Sequence, residues 1–333
     1  MIFPWQLTTR LSGYLAGNKL RGRRRFPYVL MLEPLFRCNL SCAGCGRIRE
    51  FGDFVDRTLS REECLASVME SGAPVVSITG GEPLIHPDIG GIVSDIGARH
   101  RFVYLCTNGT LLERSLRKFR PGPYLSFVVH LDGQAAIHNR NAGRDGVFEK
   151  AIAGIRAAKA KGFQVRTNTT VYSNSDLDDV SRLFQTLADC GVDGVMVSPA
   201  FSFDAVDNDI FLTRDEAHNI FRKLAPHARR FRYCNTPVYW DFLSGRRALD
   251  CTPWSNPTRN PIGWKRPCYL ITDGHVSTFR ELMEETDWAK YGAGNDARCA
   301  NCMLHSGYEA SAIEAAGGSP RDLWRMAKWT LSA

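Results

Sequence analysis

The sequence predicts an α/β chain, a partial and open (β/α)6 TIM-like barrel followed by a less regular, cysteine-containing C-terminal extension. Three observations predict it. Six short β-rich runs alternate with helical patterns through the first two hundred residues, which implies right-handed crossovers and a parallel sheet. Six such units fall short of the eight that close a TIM barrel. After about residue 200 the character changes: "DCTPWSNPTRNPIGWKRPCY" is rich in Pro, Trp and Asn and weakly periodic. The expected divisions are an N-terminal segment (1–26), the barrel (27–205) and the extension (206–333).

Each element follows from its local pattern. Trp5, Leu7, Leu11, Tyr14 and Leu15 recur at helical spacing and precede "NKLRGRRRFPY", which gathers Lys19, Arg21, Arg23, Arg24 and Arg25. A basic amphipathic segment of this kind can lie on an anionic membrane surface, or it can cap the barrel with its charged end in solvent. The strand candidates are Tyr28 to Leu32, Val75 to Thr79, Phe102 to Cys106, Ser126 to Leu131, Val165 to Val171 and Gly194 to Ser198. Among the helices between them, Leu59 to Glu70 opens on a capping box of Ser60 and Glu63. Another, Val147 to Lys161, places Ile152, Ile155 and Ala158 on one face.

Composition narrows the function classes. With 333 residues, 44% hydrophobic and 23% charged, the chain can bury a full core without staples. No apolar run approaches the roughly 20 residues that span a bilayer, and the N-terminus lacks a signal peptide's pattern, so a cytoplasmic protein is expected. In that compartment its eleven cysteines are poor candidates for disulfides and better ones for metal or cluster ligands. Cys64 and Cys190 fall in helical patterns and read as small core residues. The net charge of +7 rests partly on one short cationic run without a reader motif, so no nucleic-acid partner is expected.

"LFRCNLSCAGCGR" places Cys38, Cys42 and Cys45 directly after the first strand. Structural zinc wants four ligands, usually in two separated pairs. Three thiolates on one loop instead match three irons of a [4Fe-4S] cluster and leave the fourth iron without a protein ligand. "SITGGEP" follows the second strand, where Gly80 and Gly81 permit close backbone approach and Glu82 and Pro83 shape the turn.

CxxxCxxC on that loop, joined to the GGEP turn, resembles the radical S-adenosylmethionine (SAM) superfamily. The resemblance implies that the open iron chelates SAM, that one electron cleaves the sulfonium to a 5'-deoxyadenosyl radical, and that the Gly80–Pro83 turn meets the methionine amino group. Many members carry an aromatic residue just before the third cysteine, whereas this chain has Gly44.

Further stretches, including "FPYVLMLEPLFRCNLSCAGCGR", "FVYLCTNG", "VHLDG", "GVDGVMVSP", "DFLSG" and "ELMEETDW", resemble the adenosylhopane synthases, hopanoid-pathway radical SAM enzymes, from about residue 4 to 315. That resemblance implies addition of the adenosyl radical to the alkene of diploptene, an apolar triterpene. Such a substrate needs a dry tunnel, to which Phe201, Phe203, Phe211, Tyr239, Trp240, Phe242, Trp254 and Trp264 are candidates and also ordinary core residues. The alternative acceptor is an exocyclic alkene on a sugar or nucleoside. A low-potential electron donor such as ferredoxin or flavodoxin is implied as partner, with peripheral membrane contact for the hopanoid reading.

Cys106 ends the third strand at the rim where barrel chemistry belongs. Radical addition to a terminal alkene leaves a tertiary carbon radical, and a thiol gives it hydrogen readily, so Cys106 is expected to be the hydrogen-atom donor; the competing role is packing beneath the cysteine loop. His130, Asp132, Asn168 and Ser198 close later strands and are expected to contact SAM. Cys268, Cys299 and Cys302 suit an auxiliary Fe-S cluster or zinc. The resemblance puts a fourth cysteine at Ser306, which leaves Cys251, His305 or an exogenous ligand to complete that site.

Overall fold

The computed structural model describes residues 5–202, 206, 209–226 and 231–331. Its centre is a run of parallel strands that neighbour one another in sequence order: β1 (Val29–Leu32), β2 (Val75–Ile78), β3 (Phe102–Thr107), β4 (Leu125–His130), β5 (Gln164–Val171) and β6 (Gly194–Pro199). All six expected strands therefore form, and their consecutive order is that of a barrel rather than of a doubly wound sheet. The helices of this part are α1 (Trp5–Leu20), α2 (Arg47–Glu50), α3 (Arg61–Ser71), α4 (Ile89–Ala98), α5 (Leu112–Ser115), α6 (Ala135–Ala142), α7 (Val147–Ala160) and α8 (Leu177–Asp189). The capping box at the start of α3 forms, with Ser60 accepting from the Glu63 amide and Glu63 returning to the Ser60 amide.

Strand alternation divides the residues between two faces. Val76, Ile78, Val103, Leu105, Phe127, Val129, Val165 and Val197 are buried in the main core together with Ile92, Ile96, Ile155 and Leu183 of the covering helices. Tyr104, Cys106, Val128, His130, Asn168, Thr170 and Met196 alternate with them and are only partly covered. Cys64 and Cys190 are buried in the core, as expected.

The N-terminal helix takes the second of its two expected arrangements. Leu7 of α1 is buried against Val75 and Phe102, the first residues of β2 and β3, so the helix caps the N-terminal end of the barrel. Tyr14 donates to the Pro27 carbonyl at 2.9 Å, and the Arg25 guanidinium lies 5.2 Å from the Trp254 ring. The membrane-surface reading loses most of its apolar face to the barrel, since Trp5 and Leu20 are the only large apolar side chains of that helix that remain largely exposed. No described helix is long and apolar enough to cross a membrane.

The extension is more ordered than its composition predicts. β7 (Thr258–Asn260) pairs in parallel with the free edge of β1, and β8 (Gly263–Pro267) and β9 (Thr272–Val276) follow antiparallel, giving a nine-stranded sheet. Around them lie α9 (Arg214–Leu224), α10 (Pro237–Leu243), α11 (Phe279–Glu285), α12 (His305–Gly317) and α13 (Pro320–Leu331). The expected tunnel aromatics pack mostly into this extension. Phe242 stacks on Tyr308, Trp240 on Tyr233, the Tyr239 hydroxyl bonds the Met303 carbonyl, and Trp264 reaches Glu70 of α3. Phe211 is half-buried, Trp254 packs edge-on against Trp288, and Phe203 lies outside the described residues.

Candidate functional site

The cysteine loop begins where β1 ends and is held on both sides. The Gly81 and Glu82 amides bond the Leu35 and Arg37 carbonyls, each at 3.0 Å. This approach explains the glycines: a Cβ on Gly80, whose φ is +99°, would lie 2.4 Å from the Leu35 oxygen, and one on Gly81 would lie 2.0 Å from the Arg37 oxygen. On the other side the Ala43 amide bonds the Asn141 carbonyl at 2.9 Å, and Arg144 bonds that of Asn39 at 3.1 Å. Arg49 donates to the carbonyls of Cys42 and Cys45.

Glu82 ties the turn to β3. Its carboxylate accepts from the Leu84 amide at 3.0 Å, the Thr107 hydroxyl at 2.9 Å and the Asn108 amide at 2.9 Å. Burial outweighs these three donors and pushes the carboxyl up to about 7. Asn108 in turn donates to Asn39 at 2.8 Å and approaches the Cys38 sulfur at 4.0 Å. Pro83 opens a short helical turn under Glu82.

Cys38, Cys42 and Cys45 fit an iron-sulfur ligand set. All three are partly exposed on one loop, and the Leu40 amide points at the Cys38 sulfur from 3.5 Å. Burial pushes Cys38 up to about 11 and Cys42 up to about 12, and neighbouring cysteines add to both. Thiols that raise one another in this way are suited to a cationic centre that takes them as thiolates. Among the described residues, no three His, Cys, Asp or Glu side chains converge on a single ion.

Cys106 faces the lumen next to this loop. Its sulfur lies 3.5 Å from the Ser77 hydroxyl, and it sits two residues before Asn108, which directly follows β3. Burial pushes its thiol up to about 11, so it is held protonated at neutral pH.

The remaining expected contacts form a connected row across the ends of β4 to β6. His130 Nε2 meets Asp132 at 3.0 Å, and Asp132 also accepts from the Thr170 amide at 2.9 Å. Burial alone would raise the Asp132 carboxyl, but His130, His138 and that amide together hold it below its usual range. Asn168 pairs in register with His130 and accepts from the Ser198 hydroxyl at 3.5 Å. Ser198 also meets His305 Nδ1 at 3.2 Å, which brings α12 to the barrel rim. Cys268, Cys299 and Cys302 line a separate cavity in the extension.

Sequence reasoning missed two features of this region. Tyr172, just after β5, fills the space beside Gly44: a Cβ there would lie 2.8 Å from its hydroxyl oxygen. The signal was the glycine itself, a motif position without its usual aromatic. The second feature is a buried ionic group beside the loop. Arg47 faces Glu33 at 3.5 Å and Glu50 at 3.3 Å, and Lys265 of β8 faces Glu50 at 3.3 Å. Burial pushes the Lys265 ammonium down to about 8. Nothing local in the sequence marks Lys265, because β7 and β8 carry no strand pattern.

Comparison with known proteins gives this geometry a family. Residues 32–187 match the radical SAM superfamily, and residues 195–326 match a domain of unknown function, DUF3463. Residues 32–187 belong to the radical SAM superfamily. It is 32% identical over 173 residues to the AdoMet-dependent heme synthase of Methanosarcina barkeri, covering 50% of this chain and 48% of that protein. It is 28% identical over 283 residues to the Bacillus subtilis antilisterial bacteriocin subtilosin biosynthesis protein AlbA, covering 80% and 60%. The chain thus spans about half of the length of these curated relatives. Among solved structures, anSMEcpe with bound AdoMet matches with a TM-score of 0.55 at 19% identity, over 89% of this chain and 94% of that one. This likeness shares the fold, a radical SAM partial barrel. The superfamily implies a [4Fe-4S] cluster and SAM, for which the loop of Cys38, Cys42 and Cys45 is the candidate site.

Proposed function

We propose that this radical SAM enzyme adds the 5'-deoxyadenosyl group to the carbon-carbon double bond of an alkene, with Cys106 as the hydrogen-atom donor. The cluster and SAM would supply the adenosyl radical after one-electron reduction. The observation that carries the reading is the place of Cys106: a protonated thiol outside the ligand triplet, in the lumen, two residues from the side chain that approaches the Cys38 sulfur.

The chain's own residues divide the remaining work. Cys38, Cys42 and Cys45 would hold three irons, while Gly80 and Gly81 bring the neighbouring turn against the loop. His130, Asp132, Asn168 and Ser198 offer donors and acceptors to SAM from the ends of three adjacent strands. After addition, Cys106 gives its hydrogen to the tertiary carbon radical and becomes a thiyl radical. One electron and one proton return it to the thiol, so each turnover consumes two electrons from a low-potential donor such as ferredoxin or flavodoxin.

The sequence resemblance supplies diploptene as the acceptor. A second reading, an alkene on a sugar or nucleoside, is favoured by one observation: the group beside the cysteine loop is Glu33, Arg47, Glu50 and Lys265, while most candidate tunnel aromatics pack in the extension. The relatives' names cover heme synthesis and bacteriocin maturation, so they favour neither acceptor.

The test is turnover in heavy water. A thiol exchanges with solvent, so the adduct should carry deuterium at the former alkene carbon, and Cys106→Ala should abolish that reduced product. An adduct reduced without solvent hydrogen, or one unchanged in the variant, refutes the role of Cys106.

A further inference from the structure

The last helix, α13, turns an apolar side to solvent. Of the large apolar side chains left mostly exposed among the described residues, three belong to it: Leu323 at 50%, Trp324 at 63% and Leu331 at 69%. Leu323, Ala327 and Leu331 recur every four residues, with Trp324 and Lys328 beside them, so these exposed positions form one stripe along the helix.

The opposite side carries the polar contacts. Asp322 is buried and accepts from Arg247 at 2.6 Å and from Arg325 at 3.1 Å, and Arg325 also donates to Asp241 of α10 at 2.7 Å. Trp329 donates its indole N–H to the Tyr233 carbonyl at 3.1 Å, and Met326 packs partly buried against the main core. These contacts seat α13 on the extension and leave Leu323, Trp324 and Leu331 facing out. A helix at the surface of a globular protein ordinarily buries such a stripe.

The charge around the stripe has one sign. The Lys328 ammonium lies 5.2 Å from the Trp324 ring, and Arg321 is exposed one turn before that ring. From residue 315 to 333 the sequence holds a single acid, Asp322, which is already paired with Arg247 and Arg325.

The N-terminal segment adds to the same edge. Lys19 of α1 reaches the end of α12, where its Nζ lies 3.5 Å from the place of a Cβ on Gly317, three residues before α13 begins. Leu20 follows at 88% exposure, and Arg21, Arg23, Arg24 and Arg25 are all exposed. No Asp or Glu occurs in the sequence before Glu33. A cationic run therefore leaves from the corner at which α13 starts.

An exposed apolar stripe that contains a tryptophan and is rimmed by cations has the chemistry of a helix lying in the headgroup region of an anionic bilayer. A second copy of the chain would instead bring the same cations against one another. We propose that α13, flanked by the run from Lys19 to Arg25, docks this protein on an anionic membrane surface, with Leu323, Trp324 and Leu331 entering the headgroup boundary. The anchor is α13 and not α1, whose Leu7, Tyr14 and Leu15 pack against the protein. Docking does not depend on which alkene is the acceptor.

The test is co-sedimentation of the full chain with vesicles of phosphatidylglycerol and phosphatidylcholine, against vesicles of phosphatidylcholine alone. Binding should require the anionic lipid, fall as salt rises and shift tryptophan emission to the blue, and Trp324→Phe should shrink that shift while binding remains. Trp324→Ser combined with Leu331→Ser should weaken binding about a hundredfold, as should Arg21→Gln, Arg23→Gln and Arg24→Gln together. Both variants should unfold at the native temperature, because the replaced side chains are exposed. Absence of binding to the anionic vesicles, or binding that the α13 variant leaves unchanged, overturns the proposal. A native dimer in sedimentation velocity that the α13 variant abolishes overturns it as well, since a second copy then covers the stripe.

Discussion

Glu82→Gln puts the joint between the GGEP turn and β3 under a specific strain. In the native chain one carboxylate oxygen accepts from the Leu84 amide and the Thr107 hydroxyl, and the other from the Asn108 amide. A glutamine can keep the first pair with its carbonyl, but its NH2 then faces the Asn108 amide, donor to donor. Leaving that buried amide unmet costs about 1–3 kcal/mol. The native carboxyl has a cost of its own that depends on pH. Burial raises it from 4.5 to about 7, so the folded chain binds that proton more tightly than the unfolded chain does. The contribution of Glu82 is therefore greatest below about pH 4.5 and is lost as pH rises through about 7, a change of about 3 kcal/mol. Urea unfolding at pH 5 should show Glu82→Gln less stable by about 1–3 kcal/mol, and by pH 8 the gap should close or reverse. A gap that stays constant or widens with pH would refute this account of the joint.

Three other outcomes are expected. Gly81→Ala places a methyl 2.0 Å from the Arg37 oxygen and should cost about 1–3 kcal/mol while lowering the iron retained after reconstitution, read by thermal unfolding and iron assay. Gly44→Ala should be destabilising alone and milder in a Tyr172→Phe background, because that change removes the nearest atom; a double-mutant cycle should give coupling of about 0.5–3 kcal/mol. Asp132→Asn should lower the pKa of His130 seen by imidazole NMR, since burial depresses that ring and the Asp132 charge and hydrogen bond are what raise it.

The barrel was legible because its signals are local. Alternating strands, the Ser60–Glu63 capping box and the CxxxCxxC spacing each lie within a dozen residues, and all six strands and the cysteine loop follow from them. What was not legible depends on contacts far apart in sequence. "TRN" (258–260) has no strand pattern and becomes β7 only because β1 offers it an open edge. The aromatics of the extension look alike in sequence whether they wall a tunnel or fill a core, and partners such as Tyr308 and Met303 decide. Tyr172 and Gly44 lie 128 residues apart, so the glycine announced a gap without naming what fills it. Cys251 likewise joins Cys299 and Cys302 only through the fold around Gly307.

The measurement that tests the central claim most directly is the mass of the product. Reduced, reconstituted enzyme is incubated anaerobically with SAM and diploptene, and in parallel with sugar and nucleoside alkenes, with Cys106→Ala beside each. The account predicts one alkene that gains the mass of an adenosyl group plus hydrogen, with the reduced adduct lost or altered in the variant. Free 5'-deoxyadenosine from every alkene, with no adduct from any, would mean that the radical abstracts hydrogen rather than adds to carbon, and would contradict the account.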